Sequence, residues 1–191
     1  MKFIKKIIAQ FVLWIWGWKI VLEGPASNLE RCVLVVAPHT ANEEYILGNL
    51  AYWVLGKKLK VIIKDAHTKA WYGFLIKGLG GIGIDRSQRN DLINFVKREF
   101  HKDNFSLVIT PEGTRSWVPK WRKGFYHMAL ESKVPIVIAA GDFKEKTMYL
   151  GKKISVEELE TRSYESIMQE LQDYFQKITP KYPEKWNPKI F

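Results

Sequence analysis

CVLVVAPHTANEE, residues 32–44, decides the architecture. It opens as CVLVVAP, residues 32–38, an apolar run without alternation, which is the pattern of a strand covered on both faces. The run breaks into a polar turn, and residues 41–56 carry a helical pattern that ends at Gly56. The same step from apolar strand to polar turn recurs at FSLVITPEGTRS, residues 105–116, where FSLVIT predicts the clearest central strand. LKVIIK (59–64), VPIVIAA (134–140) and TMYLGK (147–152) read as further strands, the last a short edge strand, and GGIGI (80–84) as a glycine-rich strand or turn. Helical stretches fall between them at 67–78, 87–101 and 122–132, Ser87 being a candidate cap, and a long amphipathic helix is predicted over 156–178. A proline-punctuated tail, TPKYPEKWNP, follows. Strands that alternate with helices imply an α/β fold: a largely parallel central sheet with helices on both faces.

The chain has 191 residues, suited to a single domain with a sizeable core, and 47% of them are hydrophobic. It shows no internal repeat and no low-complexity segment. Thirty Lys and Arg against 20 Asp and Glu give a formal net charge of +10, which favours anionic partners without choosing among them. Cys32 is the sole cysteine, so an intramolecular disulfide and a thiolate metal cluster are both excluded; it starts an apolar run and reads as a buried spectator.

MKFIKKIIAQFVLWIWGWKI opens the chain. Lysines at 2, 5, 6 and 19 bracket an apolar stretch from Ile7 to Trp18, shorter than the roughly 20 residues a spanning helix needs. Trp14, Trp16 and Trp18 favour a boundary between water and lipid. Residues 2–18 therefore predict an amphipathic helix lying in one membrane leaflet; docking on the domain's own core and a true span are the alternatives. The expected organisation is a membrane-interface segment, 1–24, ahead of one domain, 25–191.

Residues that can carry chemistry gather at strand ends, where ligands of open α/β sheets bind. His39 follows one strand, and Glu44, five residues on, can fold back from the next helix onto the imidazole. That fixes the tautomer and raises the basicity of the far ring nitrogen. In PEGTRS, residues 111–116, Gly113 allows positive φ, Arg115 offers a planar fork to phosphate, and Glu112 and Thr114 add polar groups. Arg86 leaves GIDRS, residues 83–87, at another strand exit. Two arginines beside a helix N-terminus make a competent phosphate site. Trp71 and Phe74 can shape an apolar channel or touch lipid, Trp117 and Trp121 can wall an acceptor site, and Pro135 can line a pocket; core or surface packing is the alternative for each. His67, His101 and His127 have no metal-ligand spacing, and no metal site is expected.

These blocks resemble the motifs of the glycerolipid acyltransferases, the family that contains the bacterial lysophosphatidic acid acyltransferases. The histidine, four residues and an acid match His39 to Glu44. The arginine that follows a glycine-rich apolar block matches GGIGIDR, ending on Arg86. The Pro-Glu-Gly-Thr-Arg run is intact from Pro111 to Arg115. The proline-bearing apolar strand matches Val134 to Val137. All four come in family order over about residues 30–150. One position departs: Glu44 stands where the family has aspartate, one methylene longer, and Glu43 beside it leaves open which carboxylate partners His39.

The resemblance implies an O-acyltransferase in which His39, steadied by Glu44, is the general base. The donor is acyl-CoA or acyl carrier protein, with no cofactor. The acceptor is a lysophospholipid, 1-acylglycerol-3-phosphate by default or another lyso-lipid or glycolipid, bound through Arg86, Glu112, Gly113, Thr114 and Arg115. The expected location is the cytoplasmic face of a bacterial inner membrane, held peripherally or monotopically on an anionic lipid surface. Two readings of other classes are a catalytically inactive membrane-surface protein and a basic nucleic-acid-binding domain. The scattered charge and the lack of nucleic-acid motifs speak against the latter, so no nucleic acid is expected as a partner.

Overall fold

The computed structural model describes residues 2–84 and 92–191. Among these, seven strands make one sheet. In chain order they are β1 (Lys19–Leu22), β2 (Cys32–Val36), β3 (Leu59–Lys64), β4 (Gly81–Ile84), β5 (Ser106–Ile109), β6 (Ile136–Asp142) and β7 (Thr147–Ile154). Their spatial order is β1-β7-β6-β2-β5-β3-β4. Every neighbouring pair is parallel except β6 and β7, which are antiparallel.

β2 shows why an unbroken apolar run was needed. Side chains alternate across a strand, and here both faces are covered. Val33 and Val35 enter one core with Leu107, Ile136 and Ile138, while Cys32 and Leu34 enter another with Val137 and Ala139. The helices sort by face accordingly. On the second face lie α1 (Lys2–Trp16) and α2 (Glu43–Leu55), which contribute Ala9, Leu13, Leu47, Leu50, Ala51 and Tyr52. α4 (Gly73–Gly78) joins them, with Ile76 over Gly81 beside Ile63 and the Tyr45 hydroxyl donating to the Leu79 carbonyl at 2.8 Å. The first face is covered by α5 (Leu92–Lys102), α6 (Gly124–Ser132), α7 (Val156–Thr161) and α8 (Tyr164–Phe175).

Several elements differ from the sequence reading. β1 was not anticipated. Gly17, at φ +72, ends α1 and turns the chain so that Lys19 to Leu22 pair with β7. β7 is therefore interior to the sheet instead of its edge. The helix expected over 156–178 is two, because Arg162 is extended and Ser163 caps a new start by accepting the Ser166 N–H. The stretch 67–78 likewise divides into α3 (Asp65–Lys69) and α4. Cys32 is fully buried, its thiol donating to Ser106 at 3.3 Å, and burial pushes its pKa up to about 12, so it stays a thiol.

Candidate active site

β2 and β5 are hydrogen-bonded neighbours, with Val35 opposite Ile109. The segments that leave their C-terminal ends therefore leave side by side. This brings PHTANEE against PEGTRS, although 73 residues separate His39 from Glu112. The His39 N–H donates to Glu112 Oε1 at 2.9 Å.

Glu44 occupies the first turn of α2 and reaches back over the turn that precedes it. Its Oε1 accepts the N–H groups of Thr40 and Ala41, both at 2.9 Å, and the Thr40 hydroxyl at 3.3 Å. Its Oε2 lies 2.6 Å from His39 Nδ1. A carboxylate at a helix N-terminus is also favoured by the helix dipole. A carboxylate in its ionised form only accepts, so this contact suits the neutral tautomer in which Nδ1 carries the proton and Nε2 keeps its lone pair. The His39 side chain keeps 21% exposure against 5% for Glu44, so the imidazole is the part of the pair that reaches solvent. Glu43 points elsewhere, into an ion pair with Lys181.

Glu112 is buried, and its Oε2 has no partner among the described residues. Burial raises its pKa from 4.5 to about 7, against the opposing pull of the His39 N–H bond. The folded state thus binds this proton more tightly than the unfolded chain. The contribution is fully present below about pH 4.5 and is lost as pH rises through about 7. It amounts to something on the order of 3 kcal/mol. A Glu112→Gln variant keeps the acceptor for His39 N–H but cannot titrate. Urea midpoints taken at about pH 5 and pH 8 are expected to fall with pH in the parent more than in the variant; equal falls would remove Glu112 as the titrating group.

Gly113 adopts φ +69, and its N–H donates to the Thr110 carbonyl at 3.0 Å. A Cβ there would stand 2.9 Å from Arg122 Cζ. The glycine therefore supplies both the turn and the room for the Arg122 guanidinium, while its own amide is used within the turn. Thr114 Oγ1 accepts the Ser116 N–H at 3.3 Å. The exposed Arg115 donates to the side-chain carbonyl of Asn42, just ahead of α2, and so holds a positive charge beside the His39 turn.

Arg86 lies outside the described residues. Trp71 and Phe74 are exposed at the start of α4, and Trp117 is exposed beyond PEGTRS. Two expected pocket residues sit elsewhere. Trp121 is buried in the core against Phe125, Phe175 and Trp186, because the chain after PEGTRS turns inward toward α8. Pro135 precedes β6, and its carbonyl accepts the Val33 N–H. That is the N-terminal end of a strand parallel to β2, opposite the end that carries His39. Sequence reasoning missed Asn42, and it missed Lys181 and Tyr182, whose stretch read only as a tail. The Tyr182 N–H donates to Thr40 Oγ1 at 3.4 Å. Among the described residues no three His, Cys, Asp or Glu side chains gather as metal ligands.

Residues 19–140 match the family model described as Acyltransferase. A 1-acyl-sn-glycerol-3-phosphate acyltransferase of Limnanthes douglasii is 32% identical over 141 residues, 69% of this chain and 48% of its own length. One of Cocos nucifera is 30% identical over 140 residues, 69% of this chain and 44% of that protein. The chain thus spans less than half the length of these relatives. The crystal structure of the 1-acyl-sn-glycerophosphate (LPA) acyltransferase PlsC from Thermotoga maritima shares the fold, with a TM-score of 0.63 over 92% of this chain and 77% of that one at 15% identity.

Proposed function

Because this chain belongs to the acyltransferase family, the family its four sequence blocks resemble, we propose that it moves a fatty acyl group from acyl-CoA or acyl carrier protein to a hydroxyl of a lysophospholipid, 1-acylglycerol-3-phosphate foremost. The observation that carries this reading is the His39–Glu44 pair at the C-terminal end of β2, set against the PEGTR turn. His39 Nε2 takes the proton of the acceptor hydroxyl. The oxygen attacks the thioester carbonyl carbon, and collapse of the tetrahedral intermediate breaks the carbon–sulfur bond. The imidazolium then returns its proton to the departing thiolate. Glu44 holds the tautomer before the transfer and offsets the imidazolium charge after it. No acyl-enzyme forms.

Arg115, with Arg86 as its expected companion, holds the acceptor's phosphate near the N-terminus of α2. A charged hydrogen bond of this kind contributes about 1.5–3 kcal/mol, and exposure puts Arg115 at the low end. Arg115→Ala is therefore expected to raise KM for a phosphorylated acceptor about 10-fold and to leave an uncharged acceptor nearly unaffected. Equal losses on both acceptors, measured as initial rates, would make Arg115 structural.

Membrane association follows from α1. Ala9 and Leu13 are buried on its inner side, whereas Phe3, Ile4, Ile7, Ile8, Phe11, Trp14 and Ile15 form an exposed apolar stripe on its outer side. Such a stripe suits the lipid interface. No described helix is long and apolar enough to cross a membrane. α1, with 15 residues, extends about 22 Å against a hydrocarbon core of about 30 Å. Ile46 in α2, Trp71 just ahead of α4, and Phe74 and Leu75 in α4 are further exposed apolar side chains. The chain thereby rests on one leaflet, the cytoplasmic face of a bacterial inner membrane in this reading, where acceptor and product both reside. Its net charge of +10 suits anionic lipid there.

A further inference from the structure

The segment after α8 lies beyond the stretch matched by the family model, yet it touches the catalytic turn. Both of its ends are fastened. Near its start, the Thr179 N–H donates to Asp142 Oδ2 at 3.1 Å, and the Thr179 carbonyl accepts the Phe143 N–H at 2.9 Å. Near its end, the Ile190 carbonyl accepts the Trp121 N–H at 2.8 Å, the Ile190 N–H donates to Gln172 at 3.0 Å, and the Ile190 side chain is buried. Asn187 adds bonds to the carbonyls of Val118 and Pro119. The chain between these anchors runs from the end of β6 to the loop that follows PEGTRS, and on its way it meets residues 40 and 43.

Two contacts are made there. The Tyr182 N–H donates to Thr40 Oγ1, and Thr40 Oγ1 donates its single proton to Glu44 Oε1. With its lone pair engaged from outside, the hydroxyl has its proton directed at Glu44. Beside it, Lys181 pairs with Glu43 and holds that carboxyl below the usual carboxylate range. Glu43 and Glu44 are adjacent at a helix N-terminus, and both are suited to the amide donors and the imidazole there. Lys181 removes one of the two competitors.

Resting on the reading of His39 as the base, we propose that the C-terminal strap, residues 179–191, is a working part of the active site, in which Lys181 and Tyr182 are positioning residues that assign Glu44, and not Glu43, to His39. The strap acts through the turn and does not itself touch the reacting atoms. Loosening a catalytic pair by a fraction of an ångström affects the rate more than it affects substrate affinity.

The test is a set of variants at this partly exposed ion pair, assayed in the whole 191-residue chain with a lysophospholipid and acyl-CoA. Lys181→Ala is expected to lower kcat about 10-fold with KM for both substrates unchanged. Lys181→Arg should recover most of the loss. The exchange Glu43→Lys with Lys181→Glu should recover more activity than either single change. Wild-type kcat in Lys181→Ala overturns the proposal, and so does a raised acceptor KM at constant kcat, which would make Lys181 a substrate-binding cation. Amide hydrogen exchange separates failure of this proposal from failure of the acyltransfer reading. Thr40 and Ala41, whose amides are bonded to Glu44, should lose protection in Lys181→Ala whether or not the protein transfers acyl groups. Unchanged protection overturns the strap's role.

Discussion

His39→Ala is expected to lower the rate of acyl transfer by about three to four orders of magnitude, the upper part of the range for removal of a general base. An acceptor alcohol is a poor nucleophile while it keeps its proton, and no other described group near the PEGTR turn combines an open lone pair with a supporting carboxylate. Glu112 is tied to the His39 backbone and raised toward neutrality by burial, and Glu43 is occupied by Lys181. The fold should survive. The imidazole is partly exposed, and the bond to Glu112 uses the His39 backbone N–H, which alanine keeps. Unchanged circular dichroism and lipid binding alongside lost turnover is the expected result. A loss below 10-fold would remove His39 from the mechanism.

Glu44→Asp is expected to lower turnover about 100-fold, the typical consequence of displacing a catalytic group by about 1 Å. Two outcomes are conceivable for this one-methylene difference: a longer side chain that is merely tolerated, or a backbone built around it. The geometry favours the second. Both carboxylate oxygens are engaged, one on the amides of Thr40 and Ala41 at 2.9 Å and the other on His39 Nδ1 at 2.6 Å. A carboxylate withdrawn by one methylene cannot keep both sets without a shift of the first turn of α2. If it stays with the amides, Nδ1 loses the partner that fixes its tautomer. If it follows the imidazole, two amides at a helix start are left unpaired. Full activity in Glu44→Asp would show that the turn adapts freely.

The parts of this architecture that sequence makes legible are those governed by local pattern. β2, β5 and β6 declare themselves because a strand buried on both faces reads as a nearly continuous apolar run. The proximity of His39, Glu44, Glu112 and Arg115 follows from two neighbouring parallel strands that each end in a polar turn. What escaped depends on distant pairing. β1 is four residues of exposed edge that exist as a strand only because β7 lies alongside. The break before α8 rests on one serine cap inside a continuous amphipathic pattern. Trp121 looked like a site residue because it is near PEGTRS in sequence, but the chain carries it into the core. Lys181 approaches Glu43 across 138 residues, and no local signal marks it.

The central claim is His39-dependent transfer of an acyl group to a lyso-lipid hydroxyl. Its most direct test is mass spectrometry of the products formed when detergent-purified protein meets a mixed lyso-lipid pool, with acyl-CoA and acyl carrier protein supplied in separate reactions and His39→Ala as the control. The expected result is a new diacyl lipid, phosphatidic acid foremost, formed with one of the donors and absent in the variant. No acylated lipid with either donor, or the same product in equal yield from His39→Ala, would contradict it.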